Sequence, residues 1–291
     1  MWQLAVLIPT LLLSGYFAQV WKNYASPSER FLAYALPLAL GAICLLGSLV
    51  PLTMMPATQP AGWKRSVTLS SLVLPFRDRR FLRLLIYRGW FSLANGITQA
   101  AQNIYPRAVL GFDVGSLAVM RTVMQTGQFV VSPAVGRWAD RIGNRPVLIV
   151  SQALVAASLL FFLMSSSATS TTRWLLLGAW LLWSAYSGIN VCLPNLTLKL
   201  APAAGDKSPY IAAQEGVGSV FYAASTVAGG YLLDVLNTSS AGVPLPVELQ
   251  IRSFAWIFAI GIALRAFGVV LAAMIVEPGA RTWRAVLAGR T

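Results

Sequence analysis

The sequence predicts an all-α integral membrane protein of about eight transmembrane helices. Three observations carry that prediction. The first is composition: 57% of the 291 residues are hydrophobic, only 11% are charged, and mean hydropathy is +0.66. Soluble domains hold about 25% charged residues. The second is the length of the apolar runs, each near the roughly 20 residues that a helix needs to cross a bilayer. Runs of that length exceed barrel strands, and no third architecture satisfies the backbone in lipid. The third is the placement of the basic residues, which follows the alternation of the runs.

Taken in order, the runs are 2–21, 31–54, 82–105, 114–136, 146–165, 173–198, 210–235 and 252–276. The first lacks the basic leader and the small-residue cleavage site of a signal peptide, so it reads as a retained helix. Lys64, Arg65, Arg77, Arg79, Arg80 and Arg83 lie between or beside the second and third runs. Arg137, Arg141 and Arg145 follow the fourth, Lys199 and Lys207 the sixth, and Arg281, Arg284 and Arg290 the eighth. If the runs alternate in direction, all of these share one face. The opposite face holds only Lys22, Arg30, Arg107, Arg173 and Arg252. The positive-inside bias then places both termini in the cytoplasm, with the plasma (inner) membrane as the expected bilayer. It also accounts for the formal charge of +13, from 22 Lys+Arg against 9 Asp+Glu, without nucleic acid as a partner.

The same composition argues against several chemistries. Histidine is absent, which removes imidazole acid–base work and His-ligated metals. Cys44 and Cys192 both sit inside apolar runs and read as small buried residues. No Gly-x-x-x-x-Gly-Lys phosphate loop occurs, so ATP-driven transport is unsupported. Intramembrane acids are too few and scattered for a lipid-modifying enzyme. The expectation is a non-enzyme without cofactor or metal, whose partners are the lipid bilayer and a small-molecule solute.

A short charged stretch, Gly136 to Leu148 (GRWADRIGNRPVL), separates the fourth and fifth runs. Gly136 and Gly143 are expected to set a sharp turn there, because glycine tolerates backbone angles that other residues avoid. A longer basic stretch at 55–81, with Pro56, Pro60 and Pro75, reads as a linker. The segments around it also echo later ones. Ser14-Gly15-Tyr16-Phe17 is matched by Gly229-Gly230-Tyr231-Leu232, and Met54-Met55-Pro56 by Val276-Glu277-Pro278.

The spacing Gly-x-x-x-Asp-Arg-x-Gly-x-Arg resembles the signature loop of the major facilitator superfamily (MFS), whose members are built from two parallel six-helix halves. With the linker and the repeat, the resemblance implies an N-terminally truncated member. Residues 1–54 would be the last two helices of the first half and 55–81 a cytoplasmic linker. Residues 82–279 would form a complete second half, and 280–291 a cytoplasmic tail. The resemblance also implies a conformational latch. Asp140 would meet the N-terminus of a helix in the opposite half, near Gln3 and Leu4, where the macrodipole favours negative charge. Arg141 would donate to an ion pair, Gly136 and Gly143 would set the turn, and Arg145 would anchor the next helix.

Candidate solute contacts come from polar residues at helical spacing inside the runs. Such residues are costly in lipid and face a cavity or a neighbouring helix. Ser92, Asn95, Gln99, Gln102 and Asn103 share one face of the third run, and Arg121, Gln125, Gln128 and Ser132 one face of the fourth. Tyr186 and Asn190, with Trp183, offer aromatic and amide groups in the sixth, where packing is the competing role. Arg121 lies about 22 Å from Gly136 along the helix, and reads either as an anion contact or as a snorkelling interface residue. Arg88 is expected to snorkel, Glu215 to pair with the loop arginines, and Pro194 to mark a kink. Arg265, mid-run in the eighth, has no obvious partner.

The expected function is therefore a secondary active or facilitative transporter of a small solute by alternating access. A coupling ion (proton or sodium) and a partner chain supplying the missing helices fit that reading. The alternative is a non-transporting membrane remnant or assembly module lacking the first four helices.

Overall fold

The computed structural model describes residues 32–47, 49–54, 69–165, 170–202, 206–238 and 246–279, besides Tyr16, Val20 and Trp21. Its elements are helices throughout: α1 (Leu32–Gly47), α2 (Leu49–Met54), α3 (Leu69–Arg77), α4 (Arg79–Ala108), α5 (Val114–Ile142), α6 (Asn144–Met164), α7 (Ser170–Trp183), α8 (Tyr186–Leu200), α9 (Ser208–Asn237) and α10 (Val247–Ala273). Four described segments are long and apolar enough to cross a membrane: Asn144–Met164, Thr171–Leu200, Ser208–Asn237 and Val247–Ala273. α4 and α5 match them in length, at 30 and 29 residues, but carry the polar stripes. The expected run 2–21 lies almost wholly outside the described residues, so the count of eight has no counterpart here. Within the stretch read as a linker, Leu69–Arg77 is helical.

Each long helix starts where the sequence satisfies its first N–H groups. Asp78 caps α4, its carboxylate accepting from Arg80 N at 2.8 Å and Phe81 N at 3.4 Å. Asp113 caps α5 by accepting from Ser116 N at 3.3 Å. α6 follows α5 after a single residue, Gly143, whose φ of 102° is open to glycine and strained for other residues. The expected turn is thus made by Gly143 alone. Gly136 lies inside α5 with open space beside it, because Arg137–Ile142 continue the helix without a breaker.

α9 runs along α4, α10 packs on α6 and α4, and α8 closes against α6 and α5. Without a hydrophobic drive between helices in lipid, such contacts depend on close backbone approach. A Cβ on Gly96 would lie 1.9 Å from Ser225 Oγ and 2.7 Å from Tyr222 O, and one on Gly229 would lie 2.4 Å from Ile97 O. Of the small residues Ala224, Ala228, Gly229 and Gly230 on α9, only Gly229 is buried. Gly229→Leu is therefore expected to separate α4 from α9 and abolish monodisperse protein in size-exclusion chromatography. The roughly 1 kcal/mol that a helix gains on losing glycine is too small to offset a backbone clash. Gly230→Leu, where a Cβ meets nothing within 4 Å, is expected to elute as wild type.

At the end of the bundle away from Gly143, Tyr105, Phe162, Phe254 and Phe258 form an aromatic cluster with Tyr105–Phe258 ring centroids 5.4 Å apart. Val227, Tyr231 and Trp256 stay exposed on the outer surfaces of α9 and α10, as suits faces turned to lipid.

Candidate functional site

One face of α4 builds a polar path. Arg88, Ser92 and Asn95 line a cavity of about 210 Å³ with Tyr186, Gly218, Ser219 and Tyr222. One turn further, Gln99, Gln102 and Asn103 line a second cavity of about 310 Å³ with Arg121, Met124, Gln125, Trp180 and Trp183. The 88–92–95–99–102 spacing keeps all of these on one stripe. From Arg88 to Asn103 the stripe runs about 22 Å, a large share of the thickness of a bilayer core.

The partition between the cavities comes from a break in the span that α7 and α8 share. At Ser184 and Ala185 the backbone turns through short i→i+3 bonds, Ser184 N to Leu181 O at 3.0 Å and Ala185 N to Leu182 O at 3.1 Å. Ser184 Oγ also donates to Met124 O at 3.2 Å. Pro194, where a kink is expected, lies within α8, and this break comes ten residues before it. At the break Ser184 fits closely against Gly127, where a Cβ would lie 2.0 Å from the hydroxyl. Trp183 and Tyr186, on either side of the break, stack at 6.2 Å with planes 6° apart. Trp183 faces one cavity and Tyr186 the other.

Behind Trp183 lies a fully buried cation. Arg265 Cζ sits 4.7 Å from the Trp183 ring centroid, and its Nη2 donates to Thr98 Oγ1 at 3.2 Å. Its Nε and Nη1 have no hydrogen-bond partner. Gln102 Nε2 also donates to Thr98 Oγ1, at 2.8 Å, which links Arg265 to the lining of the larger cavity. Gln152 holds the backbone there, donating to Arg265 O at 3.1 Å while accepting from Tyr87 Oη at 3.3 Å.

The second polar centre is the Gly143 corner. α6 has no side-chain cap of its own. Glu277, just past the end of α10, supplies one: Asn144 N and Nδ2 donate to its Oε1 at 3.1 and 2.8 Å, and Arg145 N to Oε2 at 2.7 Å. Lys199 Nζ on α8 pairs with the same carboxylate at 3.0 Å. The Arg145 guanidinium reaches back to Ala273 O, so the α6 start and the α10 end grip each other from both sides. Burial alone would raise the Glu277 pKa, but the bonds from Asn144, Arg145 N–H and Lys199 outweigh it and hold the carboxyl below its ordinary value.

The expected site residues thus divide. Asn95 and Tyr186 meet at one cavity, and Gln99, Arg121 and Gln125 at the other. Gln128 is buried and lines neither, and Asn190 is exposed on α8. Arg121 donates to Asn103 Oδ1 within its cavity. Asp140 and Arg141 are exposed on the last turn of α5, and the helix start near Gln3 and Leu4 lies outside the described residues. Glu215 pairs with Arg88 at 3.2 Å and not with the loop arginines, because α9 lies along α4. Sequence reading gave no role to Glu277 or Trp180. For Glu277 the available signal was a lone acid between an apolar run and Pro278.

Membrane-length helices, a polar path along one of them and a hydrogen-bonded corner at one end define the class of polytopic membrane transport proteins. Residues 84–290 match the Major Facilitator Superfamily, and the chain belongs to that family. Among solved structures it is similar in fold to the nucleoside transporter NupG, at TM-score 0.55 and 14% sequence identity, covering 82% of this chain and 60% of that one. The chain therefore spans less than two thirds of the length of NupG. No curated protein matches it.

Proposed function

We propose that this chain carries a small solute across a membrane by alternating access, as a secondary active or facilitative transporter. One observation supports the reading above others: a single face of α4 lines two successive cavities, with the Trp183–Tyr186 stack between them. A broken helix beside a solute cavity is a recurring arrangement in secondary transporters. In this reading the Gly143 corner and both termini face the cytoplasm. Residues 82–279 act as the second half of the carrier and 1–54 as the end of the first. The remaining helices of the first half come from a partner chain or a longer polypeptide. The driving force is a proton or sodium gradient, or the gradient of the solute itself.

Asp140 and Arg141 serve as the latch, being exposed and unbonded among the described residues at the end of α5. Counterflow of radiolabelled solutes into liposomes holding the full chain tests carrier action. Asp140→Asn, at equal incorporation, is expected to lower flux about fivefold, the factor that ~1 kcal/mol of helix-dipole stabilisation represents. Unchanged flux in that variant would end the latch role, and absence of counterflow for every solute would end the carrier reading.

A further inference from the structure

The larger cavity has a one-sided chemistry. Among the described residues, Arg121 is its charged lining residue, and no carboxylate lines it. The Arg121 guanidinium is bonded to the neutral amide of Asn103. Trp180, only 7% exposed, presents an Nε1–H with no acceptor. Indole nitrogen is a donor only, so this orphan cannot be satisfied by reversing its role. One ring further back, Arg265 adds a guanidinium that, unlike the exposed Arg121, is fully buried, with no acid partner among the described residues and its face against Trp183. Buried cations are costly unless a counter-charge is near, and a lone buried donor is costly unless an acceptor fills its site. One guanidinium, Arg121, and an orphan N–H border this space, and a second guanidinium, Arg265, lies behind the Trp183 indole that lines it.

We propose that this cavity binds a small organic anion, its carboxylate taken by Arg121 and the Trp180 Nε1–H, and its apolar body set beside Met124 and the edge of Trp183. Gln99, Gln102 and Gln125 supply the adaptable amides around it. The cavity around Asn95 and Tyr186 is different: its cation, Arg88, is already paired with Glu215. Anion selection therefore belongs to the Trp180 side of the aromatic partition. The assignment rests on the carrier reading for its purpose but not for its test, since equilibrium binding requires no transport.

The test is isothermal titration calorimetry of the purified full chain with three probes of one shape: benzoate, benzamide and benzylammonium. Benzoate is expected to bind at least tenfold more tightly than benzamide, and benzylammonium not to bind. Arg121→Gln is expected to lower benzoate affinity at least tenfold and to leave benzamide unchanged, while Arg121→Lys keeps the preference for the anion. Equal or better binding of the neutral or cationic probe overturns the proposal. So does an unchanged benzoate affinity in Arg121→Gln, or no saturable binding of benzoate. Benzoate binding without counterflow in liposomes upholds the anion site and counts against the carrier reading. Counterflow of neutral solutes without anion preference does the reverse.

Discussion

Glu277→Ala is expected to lower stability by about 3–5 kcal/mol, because it leaves the N–H donors of Asn144 and Arg145 without their acceptor, at about 1–3 kcal/mol for each buried group. That corresponds to a fall of about 10 °C in melting temperature for a chain of this size. The carboxylate side chain is 1% exposed and receives bonds from the start of α6 and from α8. Its removal leaves the first N–H groups of α6 without an acceptor, since Gly143 offers no side chain. The effect carries its own pH signature. The Glu277 carboxyl titrates below its ordinary value of 4.5 when folded, so the folded state holds its proton less tightly than the unfolded one. The stabilisation is complete above about 4.5 and is lost as pH falls through the lower, folded-state value. Thermal melts of wild type and Glu277→Ala in detergent should therefore differ by a constant amount from pH 7 to pH 5, and converge in more acid solution. A gap that closes by pH 6, or that persists undiminished in strong acid, would contradict the role assigned to this carboxylate.

What the sequence revealed followed what is periodic or local. The all-helical class and the polar stripe of α4 are legible because residues three and four apart share a face whatever lies opposite. Gly143 is legible as a turn because a positive φ is a local demand. Gly136 misled for the same reason: its permissiveness is real, but nothing around Arg137–Ile142 makes the chain use it. The contacts of Glu277, Glu215 and Arg265 were hidden because their partners are more than 65 residues away and depend on which helix lies beside which. Charge alone suggested the loop arginines for Glu215. The α4–α9 contact, made possible by Gly96 and Gly229, gave it Arg88. The break at Ser184 was equally illegible, since it is stabilised by a fit against Gly127 on another helix. Pro194 carried the stronger local signal but sits inside α8.

Arg265→Met is expected to separate stability from function. Replacing a buried, unpaired charge by an apolar side chain of similar length is neutral or stabilising by about 1–4 kcal/mol, so the melting temperature should hold or rise. The hydrogen bond lost is the one to Thr98 Oγ1, which still donates to Ala94 O at 3.1 Å. The cation–π contact with Trp183 goes too, worth about 2 kcal/mol when desolvated, and a thioether against the same ring returns part of it. Electrostatics in the Trp183-lined cavity move the other way. A unit charge about 10 Å distant contributes about 1.7 kcal/mol at an effective dielectric near 20, which is about twentyfold in affinity for an anion. Benzoate affinity should thus fall about twentyfold in a protein that melts no earlier than wild type. If Arg265 were only a structural pin between α10 and α4, the melting temperature would drop and benzoate affinity would stay. A charge that costs stability and returns solute affinity is retained for the cavity, and these two readouts, taken on one variant, decide between the roles.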